Sequence, residues 1–283
     1  MKKYCTLTLK IFLSITILNT TLKAQESNTL SSTNFKMGII LGTGLNIGNV
    51  TNSTIIKNNG LGSNFSIGMV LQKTINQNLS FNTGLEFDFD KFSYNSQNQN
   101  GDSLHYYYAK SESKILSKEE YDDPNNSDYY KFTMENREFN TIYLTIPTML
   151  TGRTNMIGKN SYFARIGLRH SFLIKDVIND NGRSEGKTQK TALEGLTSQK
   201  ELSFYKLNLG LSIGTEWNFI GNSFVVFEMG YFVGLTNIHQ GESVFGDDKQ
   251  KDMSLILGNS SPPKYTTVKG TQNQLLIKAT FLF

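Results

Sequence analysis

Hydrophobic and polar residues alternate along much of the chain, most regularly between residues 79 and 90. One set of alternate positions holds Leu79, Phe81, Thr83, Leu85, Phe87 and Phe89, and the other holds Ser80, Asn82, Gly84, Glu86, Asp88 and Asp90. A period of two predicts a β-strand with one apolar face and one polar, acidic face.

The same alternation recurs in seven other segments, so the sequence predicts eight strands. Their predicted ranges are Phe35–Ile47, Asn64–Lys73, Leu79–Ser93, Phe139–Arg153, Tyr162–Ile174, Lys206–Phe219, Ser223–Leu235 and Gln272–Phe283. Short turns rich in Asn and Gly alternate with long polar connections. An even strand number with this alternation is typical of bacterial outer-membrane barrels. We therefore predict an all-β, eight-stranded antiparallel up-and-down transmembrane β-barrel with periplasmic termini and long extracellular loops.

Charged residues and glycines share the polar face of the predicted strands. A soluble sandwich would expose that face to water, where glycine only weakens a strand, whereas a narrow barrel turns it into the lumen. The predicted lumenal charge network is Lys36, Glu86, Asp88, Asp90, Arg165, Arg169, Lys206, Glu216, Glu228 and Lys278. We expect a lower cluster of Lys36, Glu216, Glu228 and Lys278, and an upper cluster in which the three acids of residues 86–90 face Arg165 and Arg169.

The width of the lumen leaves two interpretations open. Eight strands enclose an interior that side chains can fill, and paired charges would fill it. The alternative is a narrow proton or ion path along the acidic residues Glu86, Asp88 and Asp90.

The N-terminus predicts export. Lysines flank an uncharged apolar stretch from Ile11 to Leu18, and Ala24 precedes Gln25, which is the arrangement of a signal peptide spanning residues 1–24 before a barrel domain of residues 25–283. Its removal would take away four of the 28 basic residues and none of the 24 acidic ones. The mature chain would then be balanced in charge, which gives no basis for a nucleic-acid partner.

Few residues suggest catalysis or a cofactor. Asp102, Ser103 and His105 resemble a hydrolase constellation in composition, but neighbours in a chain rarely converge into a triad, so we expect no enzyme. The acidic run from Asp122 to Asp128 lacks the glycine of a calcium loop, and we expect no cofactor or metal.

The second long loop contains aromatic residues in two runs. We predict that these runs pair as a ribbon and form a candidate contact surface of Tyr106, Tyr107, Tyr108, Tyr129 and Tyr130. Asn181-Gly182 predicts a hairpin turn, and Pro147 predicts a bulge or kink within the fourth strand.

Three segments resemble the PorT-like outer-membrane β-barrel family. They are Tyr143-Leu144-Thr145-Ile146-Pro147, the run from Gly230 to Ile238, and the closing strand that ends at Phe283. The resemblance implies contact with outer-membrane lipid, insertion by the barrel-assembly machinery with Phe283 as the recognition signal, and an accessory role in a secretion or envelope complex. Our functional expectation is a non-catalytic barrel whose loops contact a partner, with a secretion accessory or a small pore as alternatives.

Overall fold

The described part of the chain is built from β-strands joined by turns and loops. The computed structural model describes residues 35–51, 55–96, 103–121, 125–197, 201–240, 253–259, 262–266 and 268–283. The predicted signal peptide, Asp102 and Asp122 lie outside these residues. No helix within the described ranges is long and apolar enough to cross a bilayer.

Fourteen strands are present in the described ranges. They are β1 (Phe35–Val50), β2 (Ile56–Asn58), β3 (Gly62–Asn76), β4 (Leu79–Ser96), β5 (Leu104–Ala109), β6 (Lys114–Ile115), β7 (Tyr129–Arg153), β8 (Asn160–Ser184), β9 (Thr191–Leu196), β10 (Tyr205–Ile220), β11 (Ser223–Gly234), β12 (Leu255–Leu257), β13 (Lys264–Thr266) and β14 (Gly270–Leu282).

Eight of these strands close into a ring. Antiparallel pairing runs in the order β1, β3, β4, β7, β8, β10, β11 and β14, and β14 pairs again with β1. The registers are continuous across the closure, where Gly42 lies between Ser66 of β3 and Lys278 of β14. The predicted eight-stranded antiparallel barrel is therefore confirmed. We call its two ends the turn end, with the short connections, and the loop end.

Burial follows the alternation in the sequence. Along β4, for example, Phe87 and Phe89 are exposed outside the ring while Glu86, Asp88 and Asp90 are buried inside it. Glycine on the inner face permits close strand contact, since a Cβ on Gly68 would lie 2.1 Å from the carbonyl oxygen of Leu85.

Two local predictions differ from the structure. No register shift occurs at Pro147, and the shifts between β7 and β8 lie between Met134 and Asn136 and between Ile142 and Tyr143. The pairing of β4 with β7 is nevertheless interrupted at residues 146–147, as expected for a proline that lacks an N–H donor. Asn181-Gly182 is not a hairpin turn but part of β8. A Cβ on Gly182 would lie 2.0 Å from the carbonyl oxygen of Thr133, so this glycine serves close strand packing rather than chain reversal.

The loop end carries a folded extension, here called the cap. It consists of the ends of β4, β7 and β8 with the short strands β2, β5, β6, β9, β12 and β13. Inward side chains of the ring, including Phe92 and Ile178, join cap residues such as Tyr106 and Leu255 in one buried apolar cluster. Ile238, which follows β11, belongs to the same cluster, and Val50 of β1 packs against it. Because residues from opposite sides of the ring meet in this one core, the cap covers the mouth of the barrel.

Candidate functional site: the lumen and the cap

The centre of the lumen is organised around Arg169. Its guanidinium lies 2.7 Å from a carboxylate oxygen of Glu86 and 2.6 Å from one of Asp88. The Lys278 ammonium adds a second contact to Glu86 at 2.8 Å. Glu86 and Asp88 lie on β4, Arg169 on β8 and Lys278 on β14. No two of these strands are neighbours in the ring, so the ion pairs cross the interior.

A second pair lies nearer the cap. The Lys206 ammonium is 2.7 Å from Asp90 Oδ2 and donates to Gln272 Oε1 at 2.9 Å. Asp90 Oδ1 accepts from the amides of Asn46 and Asn64 at 3.0 and 2.7 Å. Each carboxylate oxygen of Asp90 is therefore compensated, as a buried charge requires.

A third set lies toward the turn end. Arg165 pairs with Glu228, and Arg153 lies 3.1 Å from Glu216. The Lys36 ammonium lies 3.6 Å from the centre of the Phe224 ring, a cation–π contact. Arg153 escaped the sequence analysis because it is the last residue of β7, although it shares the inward parity of Thr151.

All ten residues of the predicted lumenal network point inward, and all except Lys36 are buried. Their partners differ from the expected clusters. Lys278 contacts Glu86 of the expected upper cluster, whereas Arg165 pairs with Glu228 of the expected lower one. Parity predicts which face a residue occupies, but the stagger between strands decides what it meets across the lumen.

Aromatic side chains fill space between the charged groups. The Lys206 ammonium lies 4.1 Å from the Tyr143 ring centre, and the Arg169 guanidinium lies 5.4 Å from that of Phe232. A lumenal cavity beside Arg169, Arg165 and Lys278 has a volume of about 20 Å³. That space is sufficient for about one water molecule.

A buried ion-pair cluster also lies inside the cap. Arg137 lies 2.6 Å from Asp180 and pairs with Glu201, which accepts from Ser254 Oγ at 2.9 Å. The Arg137 guanidinium is 4.8 Å from the Tyr106 ring centre. Although burial lowers it, the pKa of Arg137 is raised overall by Asp180 and Glu201, so the arginine remains charged. This cluster joins β7 and β8 to the segment before β10.

Two histidines are buried in the cap. His239 is buried, its Nε2 lies 3.2 Å from the Tyr94 hydroxyl, and burial lowers its pKa to about 3. Burial likewise lowers the pKa of His105 to about 4, and within the described residues its Nδ1 has no hydrogen-bond partner. Both rings are therefore neutral near pH 7. A cavity of about 30 Å³ lies beside His239 and Arg137.

The predicted tyrosine surface is only partly exposed. The ribbon itself is confirmed, because Tyr106 pairs with Phe132 and Tyr108 with Tyr130. Tyr106 is 0% and Tyr108 7% exposed, so the expectation that they belong to a contact surface was wrong. They share the ribbon face that packs into the apolar core of the cap. Tyr107, Tyr129 and Tyr130 remain accessible.

Two further sequence features lie on the outer surface. Phe283 is exposed, and its backbone N–H donates to the Met37 carbonyl at 2.8 Å, which holds the chain end against β1. His170 faces outward near the loop end, where its Nδ1 lies 2.8 Å from the Tyr205 hydroxyl. Its ring also stacks on that of Tyr205, with the ring centres 6.2 Å apart, so His170 belongs to the outer surface and not to the lumen.

The closed ring, the outward apolar band and the inward charges define the protein as a β-barrel of the outer-membrane class. The model of the outer membrane protein beta-barrel domain family matches residues 23–240. The chain belongs to this family and is located in the outer membrane. The matched range ends before β14, the strand that completes the ring in the structure.

Solved outer-membrane barrels resemble the chain at low identity. Neisserial surface protein A is 12% identical, with 88% of this chain and 96% of that chain covered and a TM-score of 0.34. The attachment invasion locus protein Ail of Yersinia pestis is 9% identical, with 88% and 99% covered and a TM-score of 0.30. The protease OmpT from Escherichia coli is 10% identical, with 91% and 98% covered and a TM-score of 0.31. A search of curated proteins gave no significant match.

Proposed function

We propose that the protein is a non-catalytic outer-membrane barrel with a filled lumen, which presents its folded cap to partners outside the cell. One observation carries this proposal: the inward charges pair with one another across the lumen and leave a cavity of about 20 Å³ beside Arg169. A path for solutes would need continuous free volume, and the cap adds a second, apolar barrier above the paired charges.

The proposed orientation places the loop end outside the cell and both chain ends in the periplasm. The short connections of the turn end support it, since outer-membrane barrels have short periplasmic turns and longer extracellular loops. The orientation can be tested with a membrane-impermeant maleimide on intact cells. The only cysteine, Cys5, lies in the predicted signal peptide, so introduced cysteines would report alone.

The labelling experiment compares one site at each end of the barrel. Lys264→Cys in β13 should react on intact cells, and Lys159→Cys in the connection before β8 should react only after lysis. Both lysines are exposed, so accessibility in the folded protein is matched. The reverse pattern would contradict the orientation and the proposed use of the cap.

The secretion or envelope-assembly accessory is the second candidate, and it depends on the PorT-like resemblance. Two resembling residues, Tyr143 and Phe232, pack against the charges of Lys206 and Arg169. Packing inside the lumen is therefore a sufficient reason for the presence of Tyr143 and Phe232 in the sequence, without a role in secretion. For this reason we rank the accessory role second. A deletion strain with an intact envelope but a specific secretion defect would favour this role over the first candidate. Phe283 as the signal for the barrel-assembly machinery is part of the same proposal.

A further inference from the structure

A groove at the far tip of the cap combines lysines with an exposed tyrosine. This tip groove has a volume of about 240 Å³, and the residues that line it include Tyr108, Lys110, Tyr130, Lys131, Glu185 and Lys187. Three segments build it: β5 pairs with β7 at Tyr108 and Tyr130, and the Glu185 N–H donates to the Lys131 carbonyl at 3.1 Å. The groove is therefore part of the folded cap.

Among the described residues, the lining of the tip groove is positively charged. It contains Lys110, Lys131 and Lys187 and one acid, Glu185. None of the three lysines forms an ion pair among those found between described residues. Of the three, only Lys131 has a side-chain hydrogen bond among the described residues, since its ammonium donates to Asn259 Oδ1 at 3.0 Å.

The aromatic wall adds a second kind of contact. Tyr130 is 42% exposed, its ring lies 5.9 Å from that of Tyr108, and the Lys110 ammonium lies 5.8 Å from its centre. A tyrosine ring offers apolar area with a polar hydroxyl at one end. Sugar rings expose apolar C–H groups as well as hydroxyls, and lysines form charge-assisted hydrogen bonds with anionic substituents.

We infer that the tip groove binds an acidic polysaccharide, one that carries sulfate or carboxylate groups. The inference rests on the proposed outward orientation of the cap. The open groove is smaller than the roughly 300–1,000 Å³ of a site that encloses a whole small molecule. It therefore suits a short stretch of a chain that passes through it.

Two other polyanions fit less well. A peptide strand cannot add to β5 here, because Tyr108 is already paired with Tyr130 on one side and with Ile115 on the other. The lipid headgroups around the barrel are remote: Tyr130 lies roughly 40 Å along β7 from Ile142, at about 3.3 Å per residue. Ile142 pairs with Phe89, near the loop end of the exposed apolar band.

The test uses the full barrel in lipid nanodiscs and measures anisotropy of fluorescein-labelled dextran sulfate. Neutral dextran and polyglutamate are the comparison probes. The test variant is K110Q/K131Q/K187Q, and the control K57Q/K175Q/K264Q changes three exposed lysines outside the groove. Emission from Trp217, the only tryptophan, checks that each variant is folded.

Dextran sulfate should bind wild type and the control variant with equal affinity. Its affinity for the test variant should be at least about tenfold lower, which corresponds to about 1.4 kcal/mol. Wild type should bind dextran sulfate more tightly than polyglutamate. Tyr130→Leu should also weaken binding while Tyr130→Phe retains it. The inference is overturned if dextran sulfate does not bind, if test and control variants bind alike, or if polyglutamate or neutral dextran binds as well. A barrel that conducts no ions and does not bind dextran sulfate contradicts only this inference. A barrel that binds dextran sulfate but conducts ions contradicts only the proposal that the lumen is filled.

Discussion

At the scale of single residues, the lumen is governed by the cost of burying charge. Arg169, Glu86 and Asp88 are each almost inaccessible to solvent, so their stability depends on mutual contacts. Breaking such a pair leaves an uncompensated charge, which costs more than the pair contributes when intact. An exposed pair such as Lys91 with Glu138 has no comparable penalty, because water solvates both groups.

Arg169→Met tests this difference. It leaves Asp88 without its arginine partner, and we expect the free energy of unfolding to fall by about 3–5 kcal/mol. The matched control, Lys91→Gln, should change it by less than about 1 kcal/mol. Urea unfolding in lipid vesicles followed by Trp217 emission measures both, and equal effects would contradict the central role of Arg169.

Asp176 gives a pH-dependent prediction at the loop end, beside the exposed Lys175. Burial, with a smaller contribution from Glu201, raises the pKa of Asp176 to about 6. A raised carboxyl pKa favours the folded state below the ordinary value of 3.8, and this contribution is lost as pH rises through about 6.

Asp176→Asn should therefore be more stable than wild type at pH 8 and close to it at pH 4. Urea midpoints at the two pH values measure the effect. Glu194→Gln, at an exposed position, should shift neither midpoint. An Asp176→Asn variant that gains nothing at pH 8 would show that the carboxylate is adequately solvated.

At the scale of elements, the long strands follow from local pattern and the cap does not. Alternation over ten or more residues predicts the eight ring strands, because lipid and lumen impose opposite polarity on neighbouring positions. The cap strands β2, β6, β12 and β13 have two or three residues each, too few to establish a period. Their positions depend on contacts between distant segments, such as Ile256 of β12 with His105 of β5.

Glycine at close strand contacts gives an element-scale prediction. A Cβ on Gly68 would lie 2.1 Å from the Leu85 carbonyl oxygen and 2.7 Å from the Glu86 Cα, both backbone atoms that cannot move independently. Gly68→Ala should therefore reduce the heat-stable folded fraction in electrophoresis. At Gly152 an added Cβ would meet nothing within 4 Å, so Gly152→Ala should assemble normally. Equal assembly of the two variants would contradict the close packing of β3 on β4.

The Arg137 cluster predicts that the cap opens separately from the ring. Arg137→Met leaves Asp180 and Glu201 buried without their shared cation, and the local penalty is about 3–5 kcal/mol. Limited proteolysis should then cut the segment near Glu201 while the ring remains resistant.

Arg183→Gln is the matched control for the cap experiment. Arg183 pairs with Glu135 at 3.1 Å but is largely exposed, so its loss should leave the protease pattern unchanged. A cap that resists protease equally in both variants would mean that its apolar core holds the segment without Arg137.

At the scale of the whole molecule, the sequence predicts the faces of the barrel better than its internal contacts. The inward position of Glu86 or Arg165 follows from parity alone. The partners of Arg165 and Lys278 could not be predicted, since they depend on how far each strand is shifted around the closed ring. The cap cluster around Arg137 was missed for a related reason, because its three members lie in segments brought together only by the fold.

The central claim is that side chains seal the interior of the barrel. Planar-bilayer recording of the purified protein tests it most directly, with Glu86→Gln as the informative variant, since Glu86 contacts both Arg169 and Lys278. We predict no steady conductance for wild type at any holding potential that the bilayer tolerates. A steady wild-type conductance that changes in Glu86→Gln would contradict the claim and identify the lumen as an ion path.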